Sequence, residues 1–204
     1  MKVIFATGNE GKMREIRAIL KDIEADILSM KEAGLSLDIE EDGESFEENA
    51  LIKARAVADA LAAAGGLHDC VVLADDSGLE IDCLNGEPGI YSARYLGEDT
   101  PFDVKSRDLL RRMEHVPDEE RSARFVCAIA AVFPDGESMV TRGTIEGRIG
   151  HALAGDNGFG YDPIFYLPEY GRTAAELTDG EKNQISHRSR ALALMKEELI
   201  RRGY

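Results

Sequence analysis

The sequence predicts an α/β fold, and three observations carry that prediction. Short β-rich runs alternate with helical patterns, Val71-Val72-Leu73-Ala74 is apolar throughout, and one long helical stretch has both a start and a stop signal. An uninterrupted apolar run is what a central strand covered on both faces requires. Val3-Ile4-Phe5-Ala6 is the first strand and ends in a Gly-Asn turn. After it Met13, Ile16 and Leu20 share one helical face, with Arg14, Glu15 and Arg17 largely outside it, giving strand–loop–helix. Asp26 to Met30 forms a second strand. The long helix starts at Ser45, a natural N-cap, and Glu47 and Glu48 favour the dipole in its first turn. Phe46, Ala50, Ala54, Val57 and Leu61 line its buried side, and Gly65-Gly66 ends it.

The apolar run stops at Asp75-Asp76-Ser77-Gly78, and the alternation from Leu79 to Leu84 reads as a separate strand. A helix follows between Asp103 and Met113. Arg124 to Phe133 is the strongest strand pattern, joined through Pro134-Asp135-Gly136 to a partner from Ser138 to Ile145 as a hairpin. Residues 147–170, rich in Gly, Tyr, Asp and Pro, read as functional loop and not as core. Ser186 to Arg202 closes the chain as an amphipathic helix, with Ile185, Leu192, Leu199 and either Leu194 or Met195 inward. No repeat, linker or low-complexity tract divides the chain. A single domain over residues 1–204 is the simplest organisation, with two lobes around a central cleft left open.

Composition narrows the class. An apolar fraction of 44% with 31% charged residues is ordinary for a globular domain, so disorder is not the expectation. No apolar run approaches the roughly 20 residues a membrane span needs, and Met1 to Ala6 is too short an apolar stretch for a signal peptide. Cys70, Cys83 and Cys127 are odd in number and widely spaced, which points to reduced thiols in a cytoplasmic protein. The net charge of −15 argues against a nucleic-acid polymer as partner, because phosphate-backbone binding needs a basic surface. A single nucleotide stays open, since a bound cation and a few local lysines reverse the field inside a pocket.

Four segments carry chemistry. In Thr7-Gly8-Asn9-Glu10-Gly11-Lys12, free N–H groups at a helix start attract phosphate oxygens and Lys12 adds positive charge; a plain strand–helix turn is the competing reading. Asp75-Asp76 places adjacent carboxylates at the end of a buried strand, which stability explains poorly and a hard divalent cation explains well. Glu40-Glu41-Asp42 with Glu44 is a second acidic cluster that could reach the same metal or could be a solvated face. Asn157-Gly158-Phe159-Gly160-Tyr161-Asp162-Pro163 suits close backbone approach and an aromatic face offered to a flat ligand; an aromatic-anchored turn is the competing reading. Beside Lys182, Ser186-His187-Arg188 puts two cationic residue types in a helix's first turn, where they oppose the dipole and point to an anionic or carbonyl-rich ligand nearby; a purely structural start with Ser186 as N-cap is the competing reading. His68, His115 and His151 lack ligand spacing and read as surface residues.

TGNEGK, FEENALIKA, DDSGL, PGIYSARY, GFGYDPIF and KNQISHR occur in that order from near the start to the final helix. Together they closely resemble the inosine/xanthosine triphosphate pyrophosphatases. The resemblance implies an elongated mixed β-sheet flanked by helices and a Mg²⁺-dependent homodimer. It also implies hydrolysis of a non-standard purine nucleoside triphosphate to monophosphate and pyrophosphate. Carried over by position, Thr7, Gly8, Asn9, Glu10, Gly11 and Lys12 would bind the triphosphate. Asp76 would be metal ligand and proton acceptor, with Glu41 as the second metal carboxylate. Lys53 and Lys182 would meet phosphate or sugar, and Ser77, Phe159, Gly160, Tyr161, Asp162, His187 and Arg188 would line the nucleoside pocket. Ser189 is a departure, since glycine often follows SHR in that family.

Crowding by Asp75 and Glu41 would raise the pKa of Asp76, and a bound cation would lower it. Two other readings remain: a phosphatase with an aspartyl nucleophile, whose chemistry normally wants D-x-D where this chain has D-D-S-G, and a nucleotide-sensing module without turnover.

Overall fold

The strand–loop–helix at the start places β1 (Lys2–Phe5) in parallel between β2 (Asp26–Ser29) and β3 (Cys70–Ile81) in the computed structural model, which describes residues 1–66 and 69–204. The connecting helix is α1 (Glu10–Ile19), and α2 (Phe46–Ala63) leads into β3. β4 (Ser122–Val132) and β5 (Ser138–Ile149) follow, then the short β6 (Phe165–Leu167) and β7 (Arg172–Thr173). They form a seven-stranded sheet in the order β2-β1-β3-β4-β5-β6-β7, parallel at the β1 pairings and antiparallel where β5, β6 and β7 meet. This is the mixed sheet of an α/β protein. The remaining helices are α3 (Phe102–Arg112), α4 (Asp179–Ile185) and α5 (His187–Arg201). His68 lies outside the described residues; His115 and His151 are exposed. No helix among the described residues is long and apolar enough to cross a membrane.

The chain forms two compact units, Met1–Asp76 with Cys127–Gly143 and His187–Tyr204, and Ser77–Val126 with Thr144–Ser186. In the first unit Val3, Phe5, Val71, Leu73, Ile129 and Phe133 pack with Met13, Ile16 and Leu20 of α1 and with Leu192, Met195 and Leu199 of α5. Residues two apart on a strand share a face, so this set defines one side of the sheet. Met195 is the inward residue and Leu194 is exposed. The start of α5 rests directly on β5: Thr141 Oγ1 donates to the Ala191 carbonyl at 2.9 Å, and a Cβ on Gly143 would fall 2.3 Å from the His187 oxygen. A larger residue at 143 would push away the turn that carries His187 and Arg188.

The second unit has its own core of Leu79, Ile81, Leu109, Met113, Phe125, Ile164, Phe165 and Leu177, among others. Arg121 is buried there, and its guanidinium donates to the carbonyls of Met113, Val116, Ile149 and Gly150. A buried charge is tolerable when its donors are satisfied.

Three expectations are corrected. β3 does not stop at Asp75-Asp76 but runs unbroken from Cys70 to Ile81, because both carboxylates find cationic partners. Its pairing with β1 ends at Phe5↔Leu73, so the acidic pair lies just past the carboxyl end of β1, in mid-strand of β3. Residues 161–167 are core as well as loop: Tyr161, Ile164, Phe165 and Leu167 are buried apolar anchors. The closing helix is preceded by a separate α4, begun by a Thr178–Glu181 capping box, and Ser186 leaves it in extended conformation; Ile185 therefore belongs to α4 and the second core.

Candidate active site

In the first unit the site grows from strand alternation. Successive side chains of a strand point to opposite faces, so Asp75 and Asp76 cannot share a role. Asp75 shares its face with Val71 and Leu73, the side covered by α1 and α5. There Asp75 Oδ2 meets Lys12 Nζ at 2.9 Å and Arg188 Nη2 at 3.4 Å. Arg188 also donates to Glu15. Lys12 is placed by the α1 N-terminus, where the Asn9 side chain accepts from the Lys12 N–H at 3.0 Å and Thr7 Oγ1 accepts from the Asn9 N–H. Burial by itself would raise the Asp75 carboxyl, but Lys12, Arg188 and Lys53 outweigh it and hold it well below the usual carboxylate range. The buried Arg188 is held above its ordinary value against desolvation, chiefly by Asp75.

Asp76 faces α2. Its Oδ1 is 3.3 Å from Lys53 Nζ, which also lies 2.7 Å from Glu41 Oε2. Burial pushes Asp76 up to about 6; Lys53 opposes that shift, and Glu41 and Asp75 add to it. Burial disfavours the Lys53 charge, yet Asp76, Asp75 and Glu41 together raise it above an ordinary lysine. Of the acidic run before α2, Glu41 is half-buried and turned to Lys53, whereas Glu40, Asp42 and Glu44 are exposed.

The second unit carries a different cluster. Asp162, 3% exposed, accepts from Lys182 Nζ at 2.7 Å and from the Phe159 N–H at 2.8 Å, and Lys182 Nζ lies 4.8 Å from the Phe159 ring centroid. Gly158 has φ +80°, and a Cβ there would fall 2.2 Å from Asp162 Oδ2, so the turn requires glycine. Phe159 stays 38% exposed. Tyr161 instead is buried: its hydroxyl donates to the Ser92 carbonyl at 2.8 Å, and its ring meets Phe102 edge-on at 5.2 Å. Ser77 is half-buried in β3.

The chain has counterparts among known proteins. The family model described as the Ham1 family matches residues 3–198. The chain belongs to the Ham1 family. A dITP/XTP pyrophosphatase of Clostridium perfringens is 50% identical over 198 residues, covering 97% of each chain. One from Bacillus licheniformis is 46% identical over 94% of each. Among solved structures, a HAM1 protein of Coxiella burnetii matches with a TM-score of 0.87 at 39% identity, over 98% of this chain and 99% of that one.

Within this Ham1-family chain, the structure brings Lys12, Lys53, Asp76 and Glu41 together with Asp75 and Arg188 in the first unit. It brings Phe159, Asp162 and Lys182 together in the second. His187 lies buried in the first turn of α5 beside Arg188. Among the described residues no group of three or more His, Cys, Asp or Glu converges as a metal cage. Glu41 and Asp76 nevertheless fit Mg²⁺, which takes one or two carboxylates and completes its shell with water and substrate phosphate. Asp76 Oδ2 is buried and has no hydrogen-bond partner among the described residues, leaving a hard oxygen donor available.

Two residues escaped the sequence reading. Glu15 looked like an outward helix residue, and nothing in its spacing signalled the ion pair with Arg188, which is 173 positions away. Asn49 sat unnoticed among the apolar residues of α2, although a polar side chain on a buried face was a usable signal.

Proposed function

We propose that this protein hydrolyses non-standard purine nucleoside triphosphates (dITP, ITP and XTP) to the monophosphate and pyrophosphate, with Mg²⁺ held by Glu41 and Asp76. The arrangement of Asp76, Lys53 and Glu41 carries this reading. It joins a carboxylate pushed up to about 6 to a cationic partner and a second oxygen donor, in a chain 50% identical to a dITP/XTP pyrophosphatase. A carboxylate raised in this way is a better base near neutral pH than an ordinary aspartate.

Asp76 orients water and takes its proton as the water oxygen bonds to the α-phosphorus and the bond from that phosphorus to the α,β-bridging oxygen breaks. Lys12 and Lys53 bring positive charge to the phosphate oxygens as pyrophosphate leaves, a stabilisation worth most in a water-poor site. The divalent cation supplies Lewis-acid polarisation when bound. Asp75 does no chemistry; one carboxylate facing two cations, it fixes the direction of Lys12 and Arg188. In the second unit the exposed Phe159 ring and the Lys182–Asp162 pair contact the nucleoside. These supply donors that suit the 6-carbonyl of hypoxanthine and xanthine and oppose the amino group of adenine, and the family resemblance adds His187 and Arg188 of the first unit as nucleoside residues. Buried donors left unpaired by the wrong base cost about 1–3 kcal/mol each. The family resemblance further supports a cytoplasmic homodimer.

Product analysis across dITP, ITP, XTP, dATP and dGTP in Mg²⁺ tests the reading. It predicts pyrophosphate and monophosphate from the first three. Release of orthophosphate would point to phosphatase chemistry, and tight binding without turnover to a sensor; either result overturns the proposal.

A further inference from the structure

We propose that Asn49 is a positioning residue that sets the Glu41 loop for divalent-cation binding. The inference rests on the reading of Glu41 as a metal carboxylate. Asn49 is fully buried in α2, and its Oδ1 accepts the Gly43 N–H at 2.9 Å. That contact fixes which way the amide points, and it leaves Nδ2 buried with no hydrogen-bond partner among the described residues. Such an orphaned donor costs stability, which offsets part of what the bond to the Gly43 N–H contributes. The loop is held by shape as well. A Cβ on Gly43 would lie 2.7 Å from Asn49 Oδ1, 2.8 Å from Glu48 Cβ and 3.0 Å from the Asn49 nitrogen. Glu44 N–H donates to Glu48 Oε2 at 2.7 Å, tying the next residue to the same turn. Glu41 is two residues upstream of Gly43, and Lys53 is one helical turn beyond Asn49. One amide therefore fixes the loop bearing Glu41 against the helix bearing Lys53, between whose side chains the 2.7 Å contact forms. Outer residues that orient a ligand are commonly worth about 10–100-fold in metal affinity.

The test is Mn²⁺ titration of the free protein, read by the electron spin resonance of unbound Mn²⁺, alongside Mg²⁺ activation of turnover. Asn49→Ala is expected to weaken Mn²⁺ and raise the Mg²⁺ half-activation about tenfold, with nucleotide KM at saturating Mg²⁺ within about twofold. Gly43→Ala, whose Cβ would push the loop off the first turn of α2, is expected to act in the same direction without changing any residue of α2. Asn49→Asp keeps the acceptor and is expected to hold Mn²⁺ affinity within about threefold of the parent. Circular dichroism melts report whether each variant folds. Unchanged Mn²⁺ affinity in both Asn49→Ala and Gly43→Ala, or a nucleotide KM that moves as far as the metal affinity, overturns the inference. Glu41→Gln separates the two levels. If it leaves Mn²⁺ affinity intact, the metal reading and the inference fall together; if it alone weakens Mn²⁺, only the inference fails.

Discussion

Asp75 and Asp76 are neighbours on one strand, yet their environments push them in opposite directions. Asp75 faces two cations, Lys12 and Arg188, and its carboxyl is held far down. Asp76 shares Lys53 with Glu41, feels Lys12 less than Lys53, and is pushed up to about 6 by burial. The composition of the dipeptide is symmetrical; strand alternation breaks the symmetry by sending each side chain to a different layer of helices. One face sets its carboxylate against two cations, Lys12 and Arg188, with Glu15 as a second anion for Arg188. The other has excess negative charge and a buried oxygen without a hydrogen-bond partner among the described residues, which suits it to a substrate-borne or metal cation.

The largest stability effect should come from the Asp75 face. Asp75→Asn leaves the buried Arg188 with a weakened counter-charge and is expected to cost roughly 3 kcal/mol in urea denaturation. A loss under about 1 kcal/mol would mean that Glu15 suffices for Arg188 and that the two faces differ less than described.

The pH dependence of metal-free stability comes next. The folded-state pKa of Asp76 lies above its ordinary 3.8, so the folded protein holds that proton more tightly than the unfolded chain. The Asp76 contribution is therefore greatest in acid and falls as pH rises through about 6, by at most about 3 kcal/mol for a shift of this size. Asp75 behaves oppositely: its stabilisation is present above its unfolded pKa and is lost only in stronger acid. In EDTA, Asp76→Asn should gain stability relative to the parent between pH 4 and pH 7. A constant difference across that range would show that Asp76 is not shifted.

The smallest expected effect belongs to the second unit. Lys182→Met keeps most of the side-chain length and removes both the ammonium over the Phe159 ring and the donor to Asp162. It should narrow the preference for dITP over dATP by roughly tenfold to a hundredfold in kcat/KM. An equal fall for both nucleotides would make Lys182 a general binding residue.

Much of this was legible in the sequence, for reasons that can be named. Apolar runs and caps report local physics, so β1, α1, α2 and the β4–β5 hairpin stand close to where pattern placed them. The break expected in β3 failed because a charged dipeptide ends a strand only if its charges lack partners, and those partners come from α1, α2 and α5. The loop reading of residues 161–167 failed for a related reason: glycine-rich composition hid Tyr161, Phe165 and Leu167, which anchor a core. At the site, residue types pointed to the Asp75-Asp76 pair, the acidic run at 40–44, Lys12 and Lys182, and the family resemblance singled out Asp76, Glu41 and Lys53. The pairing of Lys12 with Asp75, the Glu15–Arg188 contact and the Asn49 amide are long-range geometry, on which spacing is silent.

The division between the two carboxylates is tested most directly by Asp76→Asn, assayed for dITP turnover and for stability on the same preparation. The expected result is a kcat lower by about a thousandfold, with nucleotide binding retained and a metal-free melting temperature no lower than the parent's. A near-parental kcat, or a collapse in stability like that expected for Asp75→Asn, would contradict the assignment of chemistry to Asp76 and of structure to Asp75.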